Sequence, residues 1–277
     1  MDKIARWNQL VEMLATARDG RLSINDVVEA LNVSAATVRR DFDELADQQL
    51  LVRTRGGALA NGVSSDLPLR YKTARHPSEK HWIAAATAGL VADAAVIGLN
   101  GGTTTTEVAR ALGARSRLTG DRREPALTLV TNALNIAHEL TLHPRVKVVV
   151  IGGVARPQSY ELIGPLATTL LEDITLDVAI IGVDAIDAAT GATAHHEGEA
   201  SINELMGRRA RRVVVVADGS KVGQVAFARI LHIDRIDVLV TDSTAPAEAT
   251  RAIEAAGCQV VRAEGPPEGP PAKGVDH

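Results

Sequence analysis

Two stretches of the sequence carry side chains that could bind a charged partner. The first is VSAATVRRDFDEL, residues 33–45, in which Arg39 and Arg40 are followed by Asp41. At 3.6 residues per helical turn this stretch has one apolar face, and Arg40 points away from it. The apolar face consists of Val38, Phe42 and Leu45. Arginine side chains on the N-terminal half of an exposed helix are suited to the phosphates and base edges of a DNA major groove.

The second stretch is GLNGGTTTTEVARAL, residues 98–112. Gly101 and Gly102 allow a tight turn, Thr103 and Thr104 offer hydroxyl groups, and the following helix presents free backbone amides at its start. Such a turn can hold a phosphate, although it is also an ordinary connection between a strand and a helix. It is neither a Walker loop nor a dinucleotide fingerprint, because no lysine follows the glycines and the third glycine is absent.

The elements around Arg39 and Arg40 follow from capping residues and apolar spacing. Residues 3–17 form an amphipathic helix closed by Gly20, and Ser23 opens a second helix that stops near Asn32. Ser34 is expected to cap the third helix. The run LLVRTRGGAL then predicts a hairpin turning at Gly56-Gly57, which would place Arg53 and Arg55 beside a DNA backbone. Solvated arginines, or a protein-docking module, remain the alternative interpretations.

From residue 78 onward, apolar runs alternate with helical segments. Strands are expected at AVIGLN, ALTLVTN, VKVVVIGG, VAIIGVD, RVVVVAD, VLVTD and CQVVRA. This alternation predicts a mostly parallel sheet covered by helices on both faces, which binds ligands at the carboxyl ends of its strands. Polar residues do follow these strands, and each could instead be a cap or a solvated side chain. The candidates there are Thr131, Asn132, Asp184, Glu199 and Lys221.

Composition limits the classes of protein to be considered. The chain has 277 residues, 45% hydrophobic and 2% aromatic, with a net charge of −4, so bulk charge gives no indication of a nucleic-acid partner. A single cysteine, Cys258, excludes an intramolecular disulfide. The charged N-terminus does not resemble a signal peptide, and the apolar runs are too short for a bilayer. We therefore expect a cytoplasmic protein.

The stretch VSAATVRRDFDELADQQLLVRTRGGAL, residues 33–59, resembles the signature of the DeoR family of bacterial transcription regulators. The resemblance implies a helix-turn-helix motif at about residues 20–39. The DNA contacts that it implies, with the two wing arginines, are Ser34, Thr37, Arg39, Arg40, Arg53 and Arg55. Asp41 matches an acid of the family; since a carboxylate at a phosphate surface is repulsive, we expect Asp41 to hold an arginine or a helix terminus.

The rest of the chain resembles the family's sensor domain, which is similar in fold to ribose phosphate isomerase and CoA transferase subunits and senses phosphorylated sugars. The expected effector-binding residues are Asn100, Gly101, Gly102, Thr103, Thr104, Thr131, Asn132, Asp184, Glu199 and Lys221. Two departures from the family pattern stand out. Asn100 replaces a frequent Asp, and Asn203-Glu204 replace a commonly basic pair.

The expected fold class is α/β, with an N-terminal winged helix-turn-helix and a mostly parallel-sheet, isomerase-like sensor domain. The expected domains are 1–58 for DNA binding, 59–77 as a linker, 78–264 for effector sensing and 265–277 as a disordered tail. Residues 120–125, GDRREP, are expected to form an inserted surface loop.

The leading functional hypothesis is a repressor of sugar-metabolism genes that binds double-stranded operator DNA as a dimer or tetramer and responds to a phosphorylated sugar. The alternatives are a sugar-phosphate isomerase-like enzyme with an accessory domain and a protein-docking adaptor. We expect no enzymatic activity and no cofactor. We also expect no metal, because adjacent histidines such as His195-His196 rarely coordinate one ion together.

Overall fold

The computed structural model describes residues 2–17, 20–47, 50–60, 69, 76–116 and 126–265. The chain divides into two compact units, residues 1–75 and 76–277. Most of the expected linker, the expected loop at residues 120–125 and the expected tail beyond Gly265 lie outside the described residues. Within the described part of the chain, no helix is long and apolar enough to cross a membrane.

The first unit consists of three helices and a small antiparallel sheet. The helices are α1 (Lys3–Thr16), α2 (Ile24–Leu31) and α3 (Ala35–Asp47). The strands are β1 (Arg21–Ser23), β2 (Leu51–Thr54) and β3 (Gly57–Ala60), in the order β1-β3-β2. The expected hairpin is confirmed as β2–β3, but it turns at Arg55-Gly56 instead of Gly56-Gly57, because Gly57 already pairs with Thr54. Its second strand extends two residues beyond the expected boundary at residue 58.

The helix ends of this unit are set by the residues that the sequence indicates. Ser23 and Asp26 form a complete capping box at the start of α2, which satisfies two otherwise free backbone N–H groups. Asn32 ends α2 in the left-handed conformation, with φ of 50°. The Ser34 hydroxyl accepts a hydrogen bond from the Thr37 N–H at 3.2 Å. The turn between α2 and α3 is therefore fixed locally.

Asp41 lies on the buried side of α3 and connects that helix to α1. Its carboxylate accepts hydrogen bonds from the Arg6 guanidinium, at 2.5 and 2.9 Å, and from Trp7 Nε1 at 2.9 Å. The same helix buries Val38 and Phe42 completely. The expected structural role of Asp41, holding an arginine, is confirmed.

The second unit is built on a seven-stranded parallel sheet with the strand order β15-β14-β12-β9-β4-β5-β6. Its strands are β4 (Val96–Leu99), β5 (Leu127–Thr131), β6 (Val146–Val150), β9 (Leu176–Gly182), β12 (Ala210–Val216), β14 (Val238–Asp242) and β15 (Gln259–Ala263). All seven expected strands are confirmed, and they form this one sheet. Alternate residues of β9 enter different cores, Ala179 and Ile181 on one face and Val178 and Ile180 on the other, so the sheet is buried on both faces.

Helices cover both faces of this sheet. They are α4 (Pro77–Leu90), α5 (Thr103–Ser116), α6 (Leu134–Thr141), α7 (Pro165–Glu172), α8 (Glu197–Arg208) and α9 (Ala247–Ala255). Buried residues of α4, α5 and α6 share one core, and buried residues of α7, α8 and α9 share the other. Short 3-10 turns lie at Gly219–Lys221, after β12, and at Ile233–Arg235, before β14.

Five short strands of the second unit were not expected from the sequence, and neither was β1 of the first unit. The five are β7 (Val154–Ala155) and β8 (Leu162–Ile163), which form a pair, and β10 (Ala185–Asp187), β11 (Gly191–Ala194) and β13 (Ala228–Leu231), which form an antiparallel sheet in that order. At two to four residues each, they are too short to show an alternating apolar pattern. The segment from β7 to β8 nevertheless carries a central residue of the site described below.

The Arg6–Asp41 interaction is expected to stabilise the first unit far more than a surface ion pair does. Asp41→Ala should lower its free energy of unfolding by about 3 kcal/mol, because it leaves a largely buried arginine without its partner. The matched control is Asp43→Ala on the same helix, which removes an exposed partner of Arg53 and should cost under about 1 kcal/mol. Urea unfolding followed by Trp7 fluorescence, in the full chain carrying Trp82→Phe, measures both. Equal costs for the two substitutions would contradict this assignment.

Candidate functional site

The expected DNA-contacting residues of α3 lie together at its N-terminal half. Arg39 and Arg40 are exposed, as is Ser34, while Thr37 is half-buried. The Ser34 and Thr37 hydroxyl oxygens lie 2.9 Å apart, so these two residues complete the start of the helix. Asp41, the residue after the two arginines, is buried against Arg6. Its carboxylate therefore does not reduce the positive charge of the surface that Arg39 and Arg40 form.

The wing arginines differ from each other. Arg55 is exposed at the hairpin turn. Arg53 instead donates from Nε to Asp43 Oδ1 at 2.6 Å and from Nη1 to the Gly57 carbonyl at 3.0 Å, and its guanidinium lies 5.6 Å from the centre of the Phe42 ring. Arg53 therefore joins the wing to α3. A role for it in contacting DNA stays a prediction, and two of its three guanidinium nitrogens are already engaged.

The glycine-threonine turn lies at the carboxyl end of the sheet, between β4 and α5. Gly102 has φ of 133°, a conformation that favours glycine, and its carbonyl accepts hydrogen bonds from the Thr105 and Thr106 hydroxyls at 3.1 and 2.7 Å. Thr103 is half-buried at the first position of α5. Thr104 is 3% exposed, and among the described residues its hydroxyl has no hydrogen-bond partner. The turn thus combines a helix start with a buried hydroxyl that has no partner among the described residues.

A residue that sequence reasoning missed, Glu161, lies against this turn. It directly precedes β8, is 3% exposed, and accepts hydrogen bonds from the Gly101 backbone N–H and from Asn132 Nδ2, the latter at 3.2 Å. A Cβ atom on Gly101 would lie 2.5 Å from Glu161 Cγ, so only glycine fits there while Glu161 keeps its position. Glycine at 101 is therefore required by packing as well as by the turn.

Further carboxylates surround Glu161. Burial, and the nearby charge of Glu199, raise the pKa of Glu161 to about 8, and Asp184 adds to this effect. The hydrogen bonds from Gly101 and Asn132 oppose it. Glu199 is itself paired with Arg156, with Nη1 and Oε1 2.9 Å apart and both side chains 10% exposed. The site therefore contains a buried carboxyl group whose pKa is raised from its ordinary value into the neutral range.

The other expected effector-binding residues are engaged within the fold. Asn100 donates to the Gly182 carbonyl at 2.9 Å and accepts from the Gly182 N–H at 2.7 Å, which fastens β4 to β9. Thr131 accepts from the Ala133 N–H at 3.0 Å. Lys221 Nζ donates to the Val183 carbonyl at 2.7 Å. Each of these three side chains therefore forms a hydrogen bond with a nearby backbone group. Their part in ligand binding stays a prediction.

Asp184 and the histidines form the neighbouring rim of this end of the sheet. Asp184 Oδ2 accepts from the His195 N–H at 3.0 Å, and His196 caps α8 by accepting from the Gly198 N–H at 3.1 Å. Among the described residues there is no group of three side chains that could hold a metal ion.

Comparison with known proteins places both units in one family. The DeoR-like helix-turn-helix domain matches residues 6–62, and the DeoR C-terminal sensor domain matches residues 75–243. The chain belongs to the DeoR family. It is 34% identical to the HTH-type transcriptional regulator GlpR of Haloferax volcanii, over 92% of this chain and 96% of that protein.

Two further relatives carry the names of repressors. The putative aga operon transcriptional repressor of Escherichia coli O157:H7 is 31% identical over 92% of each chain. The glycerol-3-phosphate regulon repressor of Escherichia coli K12 is 29% identical over 89% of this chain and 93% of that one. Among solved structures, ribose 5-phosphate isomerase A from Methanocaldococcus jannaschii matches about half of each chain, 51% of this one and 52% of that one, at 22% identity and a TM-score of 0.37.

Of the two α8 residues that depart from the pattern implied by the resemblance, Asn203 and Glu204, only Asn203 reaches the site. Asn203 follows Glu199 by one helical turn and is 2% exposed, with Oδ1 3.5 Å from Asn132 Nδ2. Glu204 instead pairs with Arg208 on the outer surface, at 3.0 Å. A neutral amide thus lies beside Asn132 and Glu199, where the resemblance to the family implied a basic residue.

The contact between Gly101 and Glu161 can be measured with a double-mutant cycle. Gly101→Ala should lower the free energy of unfolding of the second unit by about 1–3 kcal/mol, because the new methyl group overlaps Glu161. In a Glu161→Ala background the same change should cost much less, since the overlap is gone. Urea unfolding followed by Trp82 fluorescence, with Trp7→Phe, provides the measurement.

Gly89→Ala is the matched control for this cycle. Gly89 is an exposed helical position where an added Cβ meets nothing within 4 Å, and alanine there should be neutral or stabilise by up to about 1 kcal/mol. If Gly101→Ala costs the same with and without the Glu161 side chain, the overlap is not the cause of the loss.

Proposed function

We propose that this DeoR-family regulator is a repressor of sugar-metabolism genes whose operator binding changes when a phosphorylated sugar binds at the carboxyl end of the sheet. The observation that carries the DNA-binding part is the arrangement of α3. Its two arginines are exposed at the N-terminal half, while the acid that follows them is buried against Arg6. A recognition helix docks by such a face.

The names of the relatives support the repressor role and the ligand class. Two of them are repressors, of an aga operon and of a glycerol-3-phosphate regulon. The second name includes a phosphorylated polyol, and the start of α5 offers amides and hydroxyls suited to an anionic group. Since the relatives described above are named as transcriptional regulators, they also support a role without catalysis. A regulator that acts on DNA would work in the cytoplasm.

A homodimer is the assembly that we propose for DNA binding. Edge strand β6 and the segment that follows it expose several apolar side chains: Val150, Val154, Leu166 and Leu170. Leu166 is 73% exposed, and an apolar surface of this kind is suited to a second copy of the chain. Dimeric readers bind two half-sites about one helical turn apart, so a single unrepeated half-site in selected DNA would contradict the dimer.

The basic face of α3 is tested with DNA selected by the protein itself from a random duplex pool. Arg40→Ala should weaken binding to the selected duplex by about 1–3 kcal/mol if Arg40 contacts a base edge, and should relax the sequence preference at one position. The control is Arg208→Ala, which removes an exposed arginine of the second unit and should leave the affinity unchanged. Titrations at several salt concentrations provide the measurement.

An unchanged affinity of the Arg40→Ala protein would remove Arg40 from the contacts. Equal losses for Arg40→Ala and Arg208→Ala would show that only net charge matters, and would contradict specific readout by α3.

The effector site is tested at Thr103. Thr103→Ala should leave the affinity for the selected duplex intact and weaken the response to whichever member of a sugar-phosphate panel, including glycerol 3-phosphate and ribose 5-phosphate, alters wild-type binding. The reason is that a ligand shifts DNA affinity only through its unequal affinity for two protein states. Thr141→Ala, at the far end of α6, is the matched control and should respond as the wild type does. A normal response of the Thr103→Ala protein would remove this hydroxyl from the site.

A further inference from the structure

The Glu161 carboxyl group lies where an anionic ligand group would bind. This inference rests on the proposed function, because it concerns the same turn between β4 and α5. A Cβ atom on Gly101 would lie 2.7 Å from Glu161 Oε1, and the Gly101 N–H donates to the Glu161 side chain. A donor at the start of this helix is therefore already used by an acidic group of the protein.

The backbone on either side of Glu161 also fixes its position. Tyr160, the residue before it, has φ of 61°, which is unusual for a residue other than glycine. The backbone on either side of Glu161 is tied to the connection between β5 and α6 by two hydrogen bonds, from the Leu162 N–H to the Asn132 carbonyl at 2.7 Å and from the Leu134 N–H to the Tyr160 carbonyl at 2.9 Å. An unusual backbone conformation with two anchors indicates that the placement of Glu161 is specified by the fold.

One neighbour of Glu161 has an unused acceptor. Asn132 is completely buried, its Nδ2 donates to Glu161 Oε2, and among the described residues its Oδ1 has no hydrogen-bond partner. A buried carbonyl oxygen without a donor is costly. A ligand hydroxyl, or a proton on Glu161 after rotation of the amide, would satisfy it.

The charged groups that face Glu161 come from three elements. Glu199 on α8 and Asp184 after β9 are negative, and Arg156 after β7 is paired with Glu199. The polar groups packed against Glu161 are Gly101 and Asn132, and neither titrates. A second full negative charge in this place is therefore strongly disfavoured.

We propose that Glu161 determines when this site accepts an anionic group. When it is ionised, it acts as an internal anion that occupies the Gly101 amide and repels the phosphate of a ligand. When it is protonated, it gives up the amide without leaving a buried charge. The anion affinity of the site then depends on one proton.

The direction and size of the effect follow from the protonation of Glu161. Its pKa is raised to about 8 by burial and by Glu199, so the protonated form predominates at pH 7 and is lost above pH 8. If only the protonated form accepts the anion, affinity should fall by about tenfold between pH 7 and pH 9.

Inorganic sulfate is the probe, because it stays a dianion throughout this range whereas a phosphate ester titrates near pH 6. Sulfate binding to the full-length protein is measured by calorimetry from pH 6.5 to pH 9 at constant ionic strength. All proteins carry Arg39→Ala and Arg40→Ala, so that binding to the basic face of α3 is not counted.

Glu161→Gln is the matched variant, since it keeps the shape and removes the charge. Its amide can donate to Asn132 Oδ1 after the Asn132 amide rotates. We expect sulfate affinity in Glu161→Gln to be independent of pH above 7 and to exceed that of the parent at pH 9 by about tenfold. Glu199→Gln is the second variant. It removes the neighbouring charge that raises the pKa of Glu161, so the fall in affinity should begin at lower pH.

The outcomes separate this inference from the proposed function. The same pH profile in the parent and in Glu161→Gln would overturn the inference alone, because the site would bind anions without regard to Glu161. A midpoint that Glu199→Gln leaves in place or moves upward would also overturn it. Sulfate binding to none of the proteins, with all of them folded, would overturn both the inference and the anion site on which it rests.

Discussion

The contact between Glu161 and Gly101 is the constraint on which the carboxyl end of the seven-stranded sheet depends. Strands of a parallel sheet end together, so the backbone amides that follow them converge on one small volume. The side chain of Glu161 enters that volume from a separate segment and takes one of the amides. The neighbouring groups are compatible with a buried carboxyl group. Residue 101 is a glycine, which leaves room for the Glu161 side chain, and the Asn132 amide donates a hydrogen bond to the carboxyl group.

Arg156 neutralises the second buried acid of this region. Glu199 lies on the first turn of α8 and is paired with Arg156, whereas the Glu161 carboxyl group accepts its hydrogen bonds from neutral groups, the Gly101 N–H and Asn132. The two carboxyl groups of this region thus have different environments, and burial raises the pKa of Glu161. Asn203 is neutral and adds no cation beside Asn132, which preserves this asymmetry.

Much of this architecture could be predicted from sequence wherever the determinants are local. The seven strands are continuous runs of branched apolar residues, and the helix caps at Ser23 and Asn32 act within a few residues. Asp41 could be assigned because repulsion from phosphate excludes it from the outer face of α3. Glu161 could not be found in this way. It lies between two-residue strands without periodicity, and its role arises from contacts with Gly101 and Asn132, 60 and 29 positions away.

The difference between local sequence signals and contacts made in the folded protein also applies to the polar residues that follow the strands. Asn100 and Lys221 follow strands as ligand-binding residues do, yet each is used by a neighbouring backbone carbonyl of the strand end formed by Gly182 and Val183. A parallel sheet leaves carbonyl groups at its carboxyl end without partners, and side chains with N–H groups satisfy them. Among the described residues at this turn, the groups left without partners are the Asn132 oxygen, an acceptor, and the Thr104 hydroxyl. Under the proposed function, a ligand hydroxyl next to the anionic group would donate to the Asn132 oxygen, and a phosphorylated sugar carries such a hydroxyl.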